Sequence, residues 1–161
     1  MDPASIVGII GSVVGIADVV TRSIKRLSTL KTKYRDSPFL VSNLIGQLCT
    51  IQVALDQLSS WTHRDLLSDP RYAILAGHVD NSLSCFGPLM MSLQEHLDKL
   101  DTSGDDHMGL TKKISFLWTE KDLVDYVTLL NHQVNALTLL LQAIQWQCNF
   151  AIELNAGLKL L

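Results

Sequence analysis

Charge is scarce in this chain and is missing altogether from its last long apolar stretch. Asp, Glu, Lys and Arg make up 18% of the 161 residues, and none occurs from Tyr126 to Ile152. A net charge of −3 and a pI near 5.9 deny the chain the basic coat of a general nucleic-acid binder. Aromatic residues are sparse at 6%, and there are only four prolines and three cysteines. Cys49, Cys85 and Cys148 are odd in number, widely spaced and each set in an apolar periodic segment. That pattern supplies no disulfide framework, and it leads us to expect buried free thiols in a reducing, cytoplasmic setting.

Motifs for chemistry are missing as well. The glycines near the N-terminus follow no strand and precede no Lys-Ser/Thr pair, so they make no phosphate loop. No serine elbow or Cys–His pairing occurs, and the five histidines share no metal-ligand spacing. Glu95, His96 and Asp98 read as a solvated helix surface. His78 and His132 read as hydrogen-bonded core or boundary histidines. Asp101, Asp105 and Asp106 lack the ligand ladder and terminal glutamate of an EF-hand. The expectation is therefore no enzyme, no cofactor and no metal.

What the chain does have is helical periodicity throughout. At 47% hydrophobic content it can bury a real core as one domain, residues 1–161. The first helix is expected over 1–35. Its run ASIVGIIGSVVGIADVV, Ala4 to Val20, carries a single charge, Asp18. Six of the thirteen basic residues then follow between Arg22 and Arg35. Ile6, Ile9, Ile10, Val13, Ile16, Ala17, Val20, Ile24 and Leu27 share one helical face, while Gly8, Gly11 and Gly15 line the opposite side with Asp18, Arg22 and Arg26. Three interior glycines cost about 3 kcal/mol of helix stability. They point either to close helix approach or to a segment that leaves its bundle. An apolar body followed by a cationic collar fits contact with a bilayer, but on composition alone an ordinary core helix with a solvated basic end is the first reading. An acid precedes the run, unlike a secretory signal, and seventeen residues are short for a constitutive membrane anchor.

Further helices are expected over 38–60, 70–100, 110–118 and 120–155. Pro38 and Pro70 follow good N-caps. The second helix carries a stripe from Leu40 to Leu58, and Trp61 closes it. The third carries one from Leu75 to Leu100, with a kink but no break at Gly87-Pro88. A loop follows at 101–109, and Leu110 to Trp118 form a short amphipathic element. Thr119 to Asp122 resemble a capping box opening the last helix. That helix has an apolar stripe (Leu123, Val127, Leu130, Val134, Leu137, Leu141, Ile144, Cys148) and a polar, uncharged one (Asn131, Asn135, Thr138, Gln142, Gln145, Asn149). The second stripe suits a central helix of a bundle or a self-association seam, and central packing is the first expectation. Short connections imply antiparallel neighbours. The fold class is all-α: an up-and-down bundle of four main helices plus one short helix.

Three stretches carry a resemblance: MDPASIVGIIGSVVGIADVVTRSI, LVSNLIGQLCTIQVALDQL and FLWTEKDLVDYVTLLNHQVNALTLLLQAIQ. They resemble the fungal N-terminal domain of STAND proteins, the NOD-like receptors of filamentous fungi, within the HeLo-like group. The resemblance runs from Met1 to about Gln147. Its most specific parts are the opening MDP with the glycine-spaced run, and Phe116, Leu117, Trp118 and Lys121 followed by Asn135 to Leu141. It implies a HeLo-like cell-death effector that oligomerises and permeabilises the plasma membrane through its first helix. It further implies a membrane-inserting role for Ile6 to Val20 (Ile6, Ile9, Ile10, Val13, Ile16 and Val20) and a headgroup-contact role for Arg22, Lys25 and Arg26. Gly8, Gly11 and Gly15 would pack helices, and Asn135, Gln142, Gln145 and Asn149 are candidates for self-association. The partners so implied are anionic lipids, further copies of the chain, and an upstream receptor or nucleotide-binding module, with no nucleic acid. A self-associating adaptor domain that never enters a membrane is the alternative.

Overall fold

The structure is a computed structural model that describes residues 3–33, 39–62, 73–102 and 120–158. The described residues are all helical, in four helices with no strand: α1 Pro3–Lys33, α2 Phe39–Thr62, α3 Ala73–Thr102 and α4 Glu120–Leu158. Asp101 and Thr102, expected to open the loop at 101–109, instead close α3 as its last helical residues; the rest of that loop, the short helix expected at 110–118 and the cap residue Thr119 lie outside the described residues.

Apolar periodicity explains each element. On α2, Leu44, Leu48, Ile51, Leu55 and Leu58 are all essentially inaccessible, and so are Val79, Leu83, Phe86, Met90, Leu93 and Leu97 on α3. On α4, Val127, Leu130, Val134, Leu137, Leu141 and Ile144 complete the same core. α2 continues past its expected end because Trp61 stands three residues beyond Leu58 and is itself buried, 5% exposed, so the register rewards another turn. α3 passes through Pro88 as one helix. Alongside it, the hydroxyl of Tyr126 on α4 donates to the Leu89 carbonyl at 2.8 Å. Burial pushes that hydroxyl's pKa well above its usual value, so it remains a donor across the whole physiological range.

The helices form a ring in which α1 touches α2 and α3, and α4 touches α2 and α3. α2 and α3 follow one another in the chain yet face each other across the diagonal, with at most marginal contact. That departs from the expectation of consecutive neighbours. The ten positions between Thr62 and Ala73 can reach roughly 33 Å, well beyond the roughly 14 Å diagonal of helices packed 8–10 Å apart.

Several side chains stand elsewhere than expected. Cys49 and Cys85 are free but exposed. Each sits one position off a buried residue, Leu48 and Phe86, and one step of about 100° carries it out of the core. His78 and His132 are exposed too, so neither is a core histidine. His96 is half-buried, with Nδ1 2.6 Å from the Ser92 carbonyl, while Glu95 and Asp98 face solvent. Among the described residues no three His, Cys, Asp or Glu gather as a metal site.

One buried group stands out in α3. Ser82 is 8% exposed, and its Oγ has no hydrogen-bond partner among the described residues. A buried hydroxyl left unsatisfied costs about 1–3 kcal/mol, and alanine is also the better helix former. Ser82→Ala is therefore expected to raise the melting temperature by about 2–4 °C for each kcal/mol recovered. Differential scanning calorimetry of the two proteins checks this; a lower melting temperature would mean that the hydroxyl finds a partner in solution.

Candidate functional site

α1 presents two unlike surfaces. Inward it buries Ile9 and Val20 completely, Val13, Ile16 and Leu27 almost completely, and Ser23; Ile10, Ala17 and Ile24 are half-buried at the edge of that face. The side chain of Ile6 lies outside the described ones. Outward, Val7 is 70% and Val14 59% exposed, and Gly8, Gly11 and Gly15 are exposed between them.

Among the described residues, nothing in the bundle packs against the three glycines. A Cβ built on any of them meets no atom within 4 Å. The expectation of close helix approach is therefore not met within one molecule, because these glycines lie opposite the face that α2 and α3 cover. Their helix-weakening cost is not offset by any contact that the described residues supply.

Tethering of α1 is lopsided along its length. The side-chain bonds that join it to other helices, among the described residues, begin at Thr21. The Gln52 amide of α2 donates to Thr21 Oγ1 at 3.2 Å, and Arg26 pairs with Asp98 of α3 at 2.7 Å. Before Thr21, among the described residues, only apolar contact joins the helix to the others. Asp18, the single charge of the apolar run, forms an i,i+4 ion pair with Arg22 at 2.7 Å. Both partners are more than half exposed, so the pair contributes little to folding, although it cancels a charge that a bilayer would reject. By length and composition alone, Val7–Thr32 is long enough to cross a membrane and holds an 18-residue window with a mean hydropathy of 1.6. The same test passes core helices of ordinary bundles.

The three cations expected to contact headgroups have different surroundings. Lys25 is exposed beside Ser28, Thr29 and Thr32 in a shallow surface dip. Arg22 is occupied by Asp18, and Arg26 is the most buried of the three and turned toward α3. Arg26 thus has a structural task, fastening the later part of α1, that spacing did not reveal.

On α4 the polar stripe faces solvent: Asn131, Asn135, Thr138, Gln142, Gln145 and Asn149 are all exposed. Central packing of these amides is thereby ruled out, since the opposite stripe already meets α2 and α3. Beside them lies a surface that belongs to neither the apolar nor the polar stripe. Leu129 (53% exposed), Leu139 (65%) and Trp146 (78%) stand outward with Ala136 and Ala143. Their alternating three- and four-residue spacing was the available signal. Comparison with protein-family models, with curated proteins and with solved structures returns no match for this chain.

Proposed function

We propose that this chain is a cell-death or signalling effector domain of the HeLo-like kind, as found at the N-terminus of fungal NOD-like receptors or in their partner proteins. Its helices run up and down, with the short element at 110–118 as the extra helix. It acts by oligomerisation and by insertion of α1 into the plasma membrane, moving there from the cytoplasm when an upstream receptor or nucleotide-binding module triggers it. It binds anionic lipid and further copies of itself, and it needs no catalytic residue or cofactor.

The observation that carries this reading is the character of α1 before Thr21. Its inward face is apolar, its outward face is mostly valine and glycine with Ser12 at the edge, its one charge is paired to Arg22, and among the described residues only apolar contact joins it to the other helices. Apolar contact has no direction, and hydrocarbon replaces a protein core with little loss. Within the bundle, burial of Ile9, Val13, Ile16, Val20 and Leu27 is worth on the order of 10 kcal/mol. That matches the net stability of a whole domain, about 5–15 kcal/mol. Release therefore requires a lipid surface or an assembly to take over the burial. The depth of Ile9 and Val20, both at 0% exposure, favours the adaptor alternative, in which α1 stays in place.

Leakage of anionic-lipid vesicles separates the two. The intact chain is expected to release an entrapped dye, and the chain lacking residues 1–20 is not. Because the truncation removes core residues, Val14→Glu serves as a second variant. Val14 is already exposed, so folding is spared, while a charge at the centre of an inserting helix costs about 2.5–3.5 kcal/mol, or roughly a hundredfold in insertion. Equal leakage by the intact chain and Val14→Glu would refute insertion through α1. No leakage by the intact chain, even when clustered artificially, would favour the adaptor.

A further inference from the structure

We infer that the outer face of α4 is a self-pairing seam, on which a second copy of this chain docks its own α4 in antiparallel register. This deepens the oligomerisation step of the reading above and rests on it. Six residues define the seam: Leu129, His132, Ala136, Leu139, Ala143 and Trp146. They follow steps of three, four, three, four and three, the spacing of a coiled-coil stripe. All six are exposed, on the side away from the buried stripe that runs from Val127 to Ile144. An ordinary outward helix face carries charged residues, whereas none occurs here from Tyr126 to Ile152.

The occupant follows from the order of sizes. Turned end for end, the seam meets itself with Leu129 against Trp146, His132 against Ala143, and Ala136 against Leu139. The small residues thus face larger ones, which lets the two helices approach closely and fill the space between them. The flanks agree. Antiparallel pairing in this register sets Asn135 of one copy beside Gln142 of the other, two neutral amides that can each donate and accept. Thr128, a hydroxyl, and Asn149, an amide, form the next uncharged polar pair outward. A face without charge meets its own copy without repulsion, and it offers a charged partner nothing to pair with.

Size also sets the strength. Leu129 and Trp146 are about 25 Å apart along the helix, and a single helix-on-helix contact of that length falls short of the roughly 800 Å² per partner of a stable complex. The pairing is therefore weak and concentration-dependent, as suits a domain that assembles only when brought together.

Thiol cross-linking reads the register directly. Leu129→Cys and Trp146→Cys are made singly in the full chain, with Cys49, Cys85 and Cys148 changed to serine and folding checked by circular dichroism. With a short bifunctional maleimide, dimers are expected when the two variants are mixed and not from either variant alone. Dimers from each variant alone would mean parallel pairing and overturn the register. No dimer in any sample would overturn self-pairing on this face. Leu139→Glu, at an exposed position, is expected to weaken association by at least about tenfold in sedimentation velocity; unchanged sedimentation would likewise overturn it. The leakage assay is independent of these readouts. Lost cross-linking with leakage retained removes the seam and spares the membrane reading, and the converse result does the reverse.

Discussion

Ile9→Asp is expected to cost the domain most or all of its stability. Ile9 is fully buried in the core that joins all four helices. Replacing it forfeits the burial of a large aliphatic side chain, about 2–5 kcal/mol once the cavity is counted. A carboxyl placed there must also either ionise without a partner or take up a proton, which adds several kcal/mol. The sum approaches the 5–15 kcal/mol that holds a typical domain together. A fall in melting temperature of at least about 10 °C follows, and in the weaker case complete loss of the cooperative transition, both visible by circular dichroism. Val13→Asp, at a neighbouring site with 3% exposure, should behave alike. A normal transition in either variant would mean that α1 is not held by this face at all.

Changing Gly8, Gly11 and Gly15 together to alanine should move stability the other way. Each gain is about 0.8–1 kcal/mol, and since an added Cβ at each site meets open space, nothing in the bundle offsets it. A rise in melting temperature of about 5–10 °C is the expected result. Because an inserting α1 would be helical across a bilayer as it is in the bundle, the substitution would favour neither location. Its effect on vesicle leakage therefore isolates a second property, close approach of another helix to the glycine face within an assembly. Gly11→Leu sharpens the contrast by filling that face. Lower leakage in a more stable protein would assign the glycines to intermolecular packing. An unchanged or lower melting temperature would show that the face is occupied in the folded molecule.

The inward stripes were legible because strongly apolar residues recur at a spacing that only a helix brings together. Leu44 to Leu58 and Val79 to Leu97 needed no other information, and the inward face of α1 from Ile9 to Leu27 was equally plain. The outward faces were harder to read. Lack of charge on α4 suggests burial, but charge reports only what a surface avoids. Asn135, Gln142, Gln145 and Asn149 are exposed and neutral together. Cys49 and Cys85 misled for a related reason: average burial of a residue type says less than its angle from the nearest buried neighbour. Arg26 could not be assigned from spacing, since its partner Asp98 is 72 positions away. The diagonal placement of α2 and α3 was hidden too, because sequence gives the order of helices along the chain and not around the ring.

That ring order has a kinetic consequence. Two of the four seams, α1 with α2 and α3 with α4, join consecutive helices and close over short stretches of chain. The other two, α1 with α3 and α2 with α4, bring together segments separated by a whole intervening helix. Loop-closure entropy must be met before those distant contacts return any energy. The molecule is thus expected to form two helical pairs early and to dock them late, more slowly than a bundle whose neighbours are all consecutive. Substitutions on the docking seams would mainly speed unfolding, and those within each pair would mainly slow folding.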